Sequence, residues 1–147
     1  MNNREQIDDK FNVRETIERY FFAVDAKDKM SLVSCFSADA EAIYHWLTPE
    51  QKTLVGGVAI GEDVYAACSL FTTSTHSIAN LTINMIEEAA EANTFAIAHV
   101  IRGGSLTIRG LRYQDRLIRT PRGWRIMQRR HTPMWQTETV VQSPRLF

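Results

Sequence analysis

Thr75-His76-Ser77-Ile78-Ala79-Asn80-Leu81-Thr82-Ile83-Asn84-Met85 is the stretch that decides the fold. From Ala79 onward apolar and polar residues alternate with the two-residue period of a strand. Most of the sequence before it has the pattern of helices, and most of the sequence after it has the pattern of strands. A histidine therefore opens the first long strand, at the point where helices would cover a sheet. Strict alternation groups His76 with Asn80, Thr82 and Asn84, opposite the apolar Ala79, Leu81, Ile83 and Met85. Two solutions stay open: a polar pocket mouth, or a bulge near residues 77–80 that shifts the register.

Upstream, Asn12-Val13-Arg14-Glu15 has the form of a helix start, with Asn12 as cap and Glu15 closing a capping box. Ile17, Tyr20, Phe21 and Val24 come next at i, i+3, i+4 and i+7, one apolar stripe ending near residues 25–27. Asp28 suits the cap of a short second helix with Met30, Leu32, Val33 and Phe36 on its apolar side, ended by residues 37–39. Residues 41–46 predict a short strand and 48–57 a loop, with Pro49 and Gly56-Gly57 as breakers. Ile60, Val64, Ala67, Cys68 and Phe71 predict a third helix over 61–73.

Downstream, four strands are predicted, at 75–86, 93–102, 107–119 and 123–135, with Thr120-Pro121-Arg122-Gly123 as a strong turn signal. Helices segregated to one face of an antiparallel sheet define an α+β domain. A strongly curved sheet covered by the N-terminal helices would form a cone. No linker divides the chain, so residues 1–147 are expected to form a single domain with its core at about 10–135 and a tail at 136–147.

Composition narrows the function. The chain of 147 residues carries 44% hydrophobic and 23% charged residues, ordinary for a soluble globular domain. No apolar run reaches membrane-spanning length, and Met1–Gln6 lacks the apolar core of a signal peptide, which predicts a cytoplasmic protein with no membrane partner. Cys35 and Cys68 fall in apolar helical patterns and suit buried thiols. Net charge is zero, yet residues 1–100 hold 7 Lys/Arg against 15 Asp/Glu, and residues 101–147 hold 10 Arg against 2 acids. These arginines alternate with apolar residues and lack the aromatic pattern of an RNA-binding sheet, so pairing with acids is expected rather than nucleic acid. His45, His76, His99 and His131 are scattered singly, without metal-ligand spacing. No phosphate-binding glycine loop or nucleophile elbow is present, and neither metal nor cofactor is expected.

Tyr20-Phe21-Phe22-Ala23-Val24-Asp25-Ala26-Lys27-Asp28 and then Phe36-Ser37-Ala38-Asp39 resemble the start of SnoaL-like proteins of the nuclear-transport-factor-like superfamily. So do His76 with Asn80, Tyr113-Gln114-Asp115-Arg116-Leu117, Gly123-Trp124-Arg125-Ile126 and Arg129-Arg130, in the same order and spacing over about residues 10–135. The resemblance implies a cone-shaped α+β barrel with a deep pocket between sheet and helices. The superfamily spans scytalone dehydratase, ketosteroid isomerase, a bile-acid dehydratase, hexachlorocyclohexane dehydrochlorinase and polyketide cyclases. It also contains non-catalytic members such as oxygenase beta subunits, so membership settles no activity.

In the dehydratase branch an Asp ending the first helix holds a His on the first long strand, and that His takes a proton from carbon. Asp25 and His76 match those positions. The resemblance also implies Tyr20 as a phenol donor, Arg130, or else Arg129, as an anion-binding arginine, and His99 as a second pocket histidine. Val24 departs from the scytalone dehydratase pattern, which has a Tyr there. The chain also lacks the aspartate–arginine arrangement of limonene epoxide hydrolase.

The residues themselves allow this chemistry. A neutral imidazole is available as a base at pH 7, and a carboxylate on one ring nitrogen fixes its tautomer. The blander alternative makes Asp25 a helix cap and His76 an ordinary strand residue. By alternation Arg130 shares a face with Trp124 and Ile126 and points inward, while Arg129 points out. His99 shares a face with Phe95, Ile97 and Ile101. Tyr44, Trp46, Phe71 and Tyr113 are candidate pocket walls, and Asp115 is expected to pair with an arginine. The expectation is a cofactor-independent lyase or isomerase for a hydrophobic cyclic molecule, working as a homodimer or homotrimer. The alternative is a non-catalytic binding or oxygenase beta-subunit-like module.

Overall fold

The computed structural model describes residues 3–46 and 50–141. Thr48 and Pro49 of the expected loop, and the end of the expected tail, lie outside the described residues. The elements run α1 (Asn3–Ala26), α2 (Lys29–Ser34), β1 (Phe36–His45), β2 (Gln51–Val55), α3 (Gly57–Cys68), β3 (Thr73–Ile86), β4 (Ala89–Arg102), β5 (Ser105–Thr120) and β6 (Gly123–Val140). One curved, unclosed sheet of six strands in the order β2-β1-β6-β5-β4-β3 carries the helices, the expected α+β cone. Four neighbouring pairs are antiparallel, and β1 runs parallel to β6.

The apolar stripe of α1 does what its spacing predicts. Val13, Ile17, Tyr20, Phe21 and Val24 are all buried, and a fully buried side chain of this size contributes roughly 1.5–3 kcal/mol. The helix begins two turns earlier than the Asn12 signal. Asp9, inside those turns, accepts hydrogen bonds from Trp124 Nε1 at 3.1 Å and Arg119 Nη2 at 2.5 Å. Burying an acid is tolerable only with such partners, and they tie the early turns to the sheet. Asp28 caps α2 as expected, accepting from the backbone N–H and hydroxyl of Ser31.

Residues 37–39, expected to end α2, lie in β1, and residues 51–55, expected as loop, form β2. Gly57 and Gly61 act as contact points more than as breakers. A Cβ on Gly61 would lie 2.8 Å from the Val33 backbone, and one on Gly57 would lie 2.4 Å from the Ser37 carbonyl oxygen. Only glycine lets α3 approach α2 and β1 so closely.

Bulges in β3 and β6 set which residues face inward. In β3, Ala79 is an extra residue between the pairs Ile78–Ala96 and Asn80–Phe95. His76 and Ile78 therefore share the inner side with Leu81, Ile83 and Met85. This settles the conflict left by strict alternation in favour of a bulge. In β6, Met127 is extra opposite Arg116 and Leu117, and Met134 is extra opposite Gly110 and Leu111.

Candidate functional site

Asp25 sits in the last turn of α1, where a carboxylate meets the unfavourable negative end of the helix dipole. Hydrogen bonds from β3 offset that cost. Ser74 Oγ donates to Oδ1 at 2.8 Å, the His76 backbone N–H donates to Oδ2 at 2.8 Å, and His76 Nδ1 lies 2.7 Å from Oδ1. Burial pushes the Asp25 carboxyl upward, but the bonds from the His76 side chain and backbone outweigh it and hold the group below the ordinary carboxylate value. An ionised carboxylate only accepts, so Nδ1 is the nitrogen that carries a proton toward it, and in the neutral form of that tautomer the lone pair lies on Nε2. Phe21 stacks on the His76 ring with centroids 5.8 Å apart and fixes its plane.

Two spaces flank this pair. An outer groove is bordered by Phe21, Phe22, Asp25 and His76. An inner cavity of about 290 Å³ is bordered by His76, Tyr20, Val24, Trp46, Phe71, Tyr113 and several further apolar side chains. Asp25 borders the groove and not the cavity, whereas His76 borders both. His76 thus stands between the groove and the cavity. Its size and largely apolar lining suit a small ring-sized molecule.

A second polar cluster lies behind Tyr20. Arg129 and Asp115 form a fully buried two-pronged ion pair, with both contacts at 2.7 Å. The Arg129 guanidinium sits 4.0 Å from the Tyr20 ring centroid and 4.7 Å from that of Tyr113, in cation–π geometry. Burial pushes the Arg129 pKa down, but Asp115 overrides it and the group stays firmly charged. Tyr20 Oη and Tyr44 Oη are 3.1 Å apart. Burial raises the pKa of Tyr20, Tyr44 and Tyr113, so all three phenols remain protonated donors at neutral pH.

The predicted set thus divides. Asp25, His76 and Tyr20 come together, and Trp46, Phe71 and Tyr113 line the cavity. Tyr44 lies behind the wall, stacked on Trp46 at 4.6 Å. Two assignments are corrected. Arg130 is exposed and Arg129 is the inward arginine, because the extra Met127 reverses alternation after Ile126. His99 is exposed on the outer face, because the inner face of β4 is built from Ala90, Ala92, Thr94, Ala96, Ala98 and Val100. Two cavity residues escape the sequence reading, Arg109 on β5 and His131 on β6. Beyond the arginine-rich character of the C-terminal third, nothing in the sequence marks them. Among the described residues no three His, Cys, Asp or Glu side chains gather as a metal site, and no helix is long and apolar enough to cross a membrane.

Comparison with known proteins gives consistent results. The model of the SnoaL-like domain matches residues 5–130. An uncharacterised protein of Mycobacterium tuberculosis is 25% identical over 140 residues, covering 89% of each chain. A candidate scytalone dehydratase from Novosphingobium aromaticivorans superposes with a TM-score of 0.82 at 16% identity, covering 97% of this chain and 95% of that one. A hexachlorocyclohexane dehydrochlorinase from Novosphingobium barchaimii superposes with a TM-score of 0.80 at 12% identity, covering 94% of each. At these identities the likeness of the solved structures is one of fold.

Proposed function

This chain belongs to the SnoaL-like domain family, and on that premise we propose that it is a cofactor-independent, dehydratase-like lyase or isomerase acting on a hydrophobic cyclic small molecule. The observation that carries the reading is the 2.7 Å contact of Asp25 with His76 Nδ1 beside an apolar cavity. His76 Nε2 takes a proton from an acidic substrate carbon, and Asp25 stabilises the imidazolium that forms. In an elimination the C–H electron pair becomes the new C=C bond and the C–O bond breaks. The departing oxygen takes the proton from His76, so water leaves and the imidazole returns to neutral. In an isomerisation His76 returns the proton to another carbon.

Tyr20 supports this by donating its phenol to the departing oxygen. Tyr44 lies 3.1 Å from Tyr20 Oη and within 3.5 Å of Arg129 Nη1. Either phenol can donate in the Tyr20–Tyr44 contact; the arrangement in which Tyr44 accepts from Arg129 and donates to Tyr20 is the one that frees the Tyr20 hydroxyl hydrogen for the cavity. An arginine role thus passes from Arg130 to Arg129, which acts through the tyrosines as a positioning residue.

The fold-sharing dehydratase-type proteins support the reaction class. A non-catalytic beta-subunit-like module is the competing reading, and the open cavity beside a buried histidine weighs against it. The exposed Phe22, Trp135 and Val140 fit a chain that works as a homo-oligomer. A panel of apolar cyclic β-hydroxy ketones, assayed for loss of water by the wild type, tests the proposal. On any ketone turned over, His76→Gln is expected to lower kcat at least 100-fold, in line with the roughly 10²–10⁴-fold worth of a general base. Full turnover by His76→Gln would overturn it.

A further inference from the structure

His131 is 1% exposed on β6, and its Nδ1 accepts the backbone N–H of His45 at 3.3 Å. A ring nitrogen that accepts carries no proton, so the proton of the neutral ring sits on Nε2. Burial, reinforced by the Arg109 and Arg129 cations, pushes the pKa down to about 3, and the ring is neutral throughout the physiological range. Its Nε2 is buried with no hydrogen-bond partner, while the ring borders the cavity. Tyr113, Tyr44 and Trp46 surround the ring at centroid distances of 5.0–5.9 Å and hold it in place.

Arg109 borders the same cavity and is 6% exposed. Its Nη2 donates to the carbonyls of Trp46 at 2.6 Å and His45 at 3.4 Å. Its Nε is also buried without a partner. Among the described residues no carboxylate pairs with it, in contrast to Arg129. Buried charges and donors are normally satisfied. Here two residues that border one cavity, shared with Arg102, His76 and Tyr20, each carry a buried N–H group without a partner, and one of the two is a buried cation with no carboxylate beside it. In the sheet order His131, on β6, is three strands from β3, and Arg109, on β5, is two, in register with His76 through Ala98.

We infer that His131 and Arg109 form an oxyanion subsite, and that the substrate is an enolisable carbonyl compound whose oxygen binds there. When His76 removes the proton next to the carbonyl, the C–H electron pair moves into the carbon–carbon bond. The carbonyl π pair then moves onto oxygen, which becomes an enolate held by His131 Nε2–H and the Arg109 guanidinium. A neutral imidazole suits this role, since it donates a hydrogen bond without surrendering a proton. Tyr20 remains the donor to the leaving oxygen near the dyad. The inference rests on the proposed function for its chemistry, but the subsite exists without turnover.

para-Nitrophenolate serves as a stable enolate mimic, with its methyl ether as the uncharged control. The wild type is expected to bind the phenolate at least 10-fold more tightly than the ether, and the bound phenol to ionise at a lower pH than the free one, read from its absorbance. His131→Phe and Arg109→Met should each erase most of that preference, and His131→Gln, which retains a donor, should keep part of it. His76→Gln should keep the preference for phenolate over ether while lowering kcat at least 100-fold, so the subsite and the dyad fail separately. A wild type that binds phenolate no better than the ether overturns the subsite, whatever the variants do. So does an undiminished preference in folded His131→Phe together with Arg109→Met.

Discussion

Asp115→Asn isolates the charge at the base of the cavity. In the native protein Asp115 takes both contacts from Arg129 at 2.7 Å, and both side chains are fully buried. Asparagine keeps the shape and one acceptor but removes the charge, leaving a buried guanidinium without a counter-ion. Breaking such a pair from one side costs about 3–5 kcal/mol. A domain of this size gains only about 5–15 kcal/mol from folding, so between a fifth and all of its stability is at stake. The melting temperature should fall by roughly 6–20 °C, taking about 2–4 °C per kcal/mol for a chain of this length. Urea unfolding followed by far-ultraviolet circular dichroism measures the loss. Arg129→Met combined with Asp115→Leu removes both charges and should recover much of it, because the cost lies in the unpaired charge. The double variant should still lose activity, since the guanidinium that orders Tyr20 and Tyr44 is gone. A loss under about 1 kcal/mol for Asp115→Asn would refute the reasoning, placing the pair in the range of an exposed salt bridge.

Acid stability should report on His131. Its folded pKa of about 3 lies below the unfolded value near 6.5. The unfolded chain therefore binds the proton first as pH falls, and stability declines from pH 6.5 toward 3 with a slope approaching about 1.4 kcal/mol per pH unit. His131→Gln should flatten that window, and an unchanged slope would contradict the buried neutral imidazole. The depressed Asp25 carboxyl works in the same direction but lower, contributing stability present above the ordinary carboxylate pKa and lost as pH falls through its folded value. Gly61→Ala should destabilise by about 1–3 kcal/mol through overpacking, since its Cβ would meet the Val33 backbone at 2.8 Å. A neutral result in a thermal melt would show that α2 and α3 separate easily.

The element order was legible, β2 excepted, because two periodicities, 3.6 and 2, are strong where one face is buried. The Ile17–Val24 stripe and the alternation after Ala79 both place their side chains as the structure does. Asp25 with His76 was legible through chain order and resemblance, since no local pattern links residues 51 positions apart. Bulges were the main obstacle. One extra residue at Ala79 turns His76 inward, and one at Met127 exchanges the fates of Arg129 and Arg130. Neither is marked by glycine or proline, so alternation counts straight through them. His99 fails for another reason. Hydrophobicity points to the side of β4 with Phe95 and Ile97 as the core, but the inner side is lined mainly by alanines, with Ala98 and Val100 on the cavity. The parallel pairing of β1 with β6 left no local trace, because strand order depends on long-range packing.

The most direct test of the dyad is the location of the proton on the His76 ring, read by nitrogen-15 NMR of the folded protein at neutral pH. Asp25 at 2.7 Å from Nδ1 requires the proton on Nδ1 and a bare Nε2, with Asp25→Asn relaxing that preference. A ring protonated at Nε2 and bare at Nδ1 would leave no lone pair facing the cavity and would contradict His76 as the base.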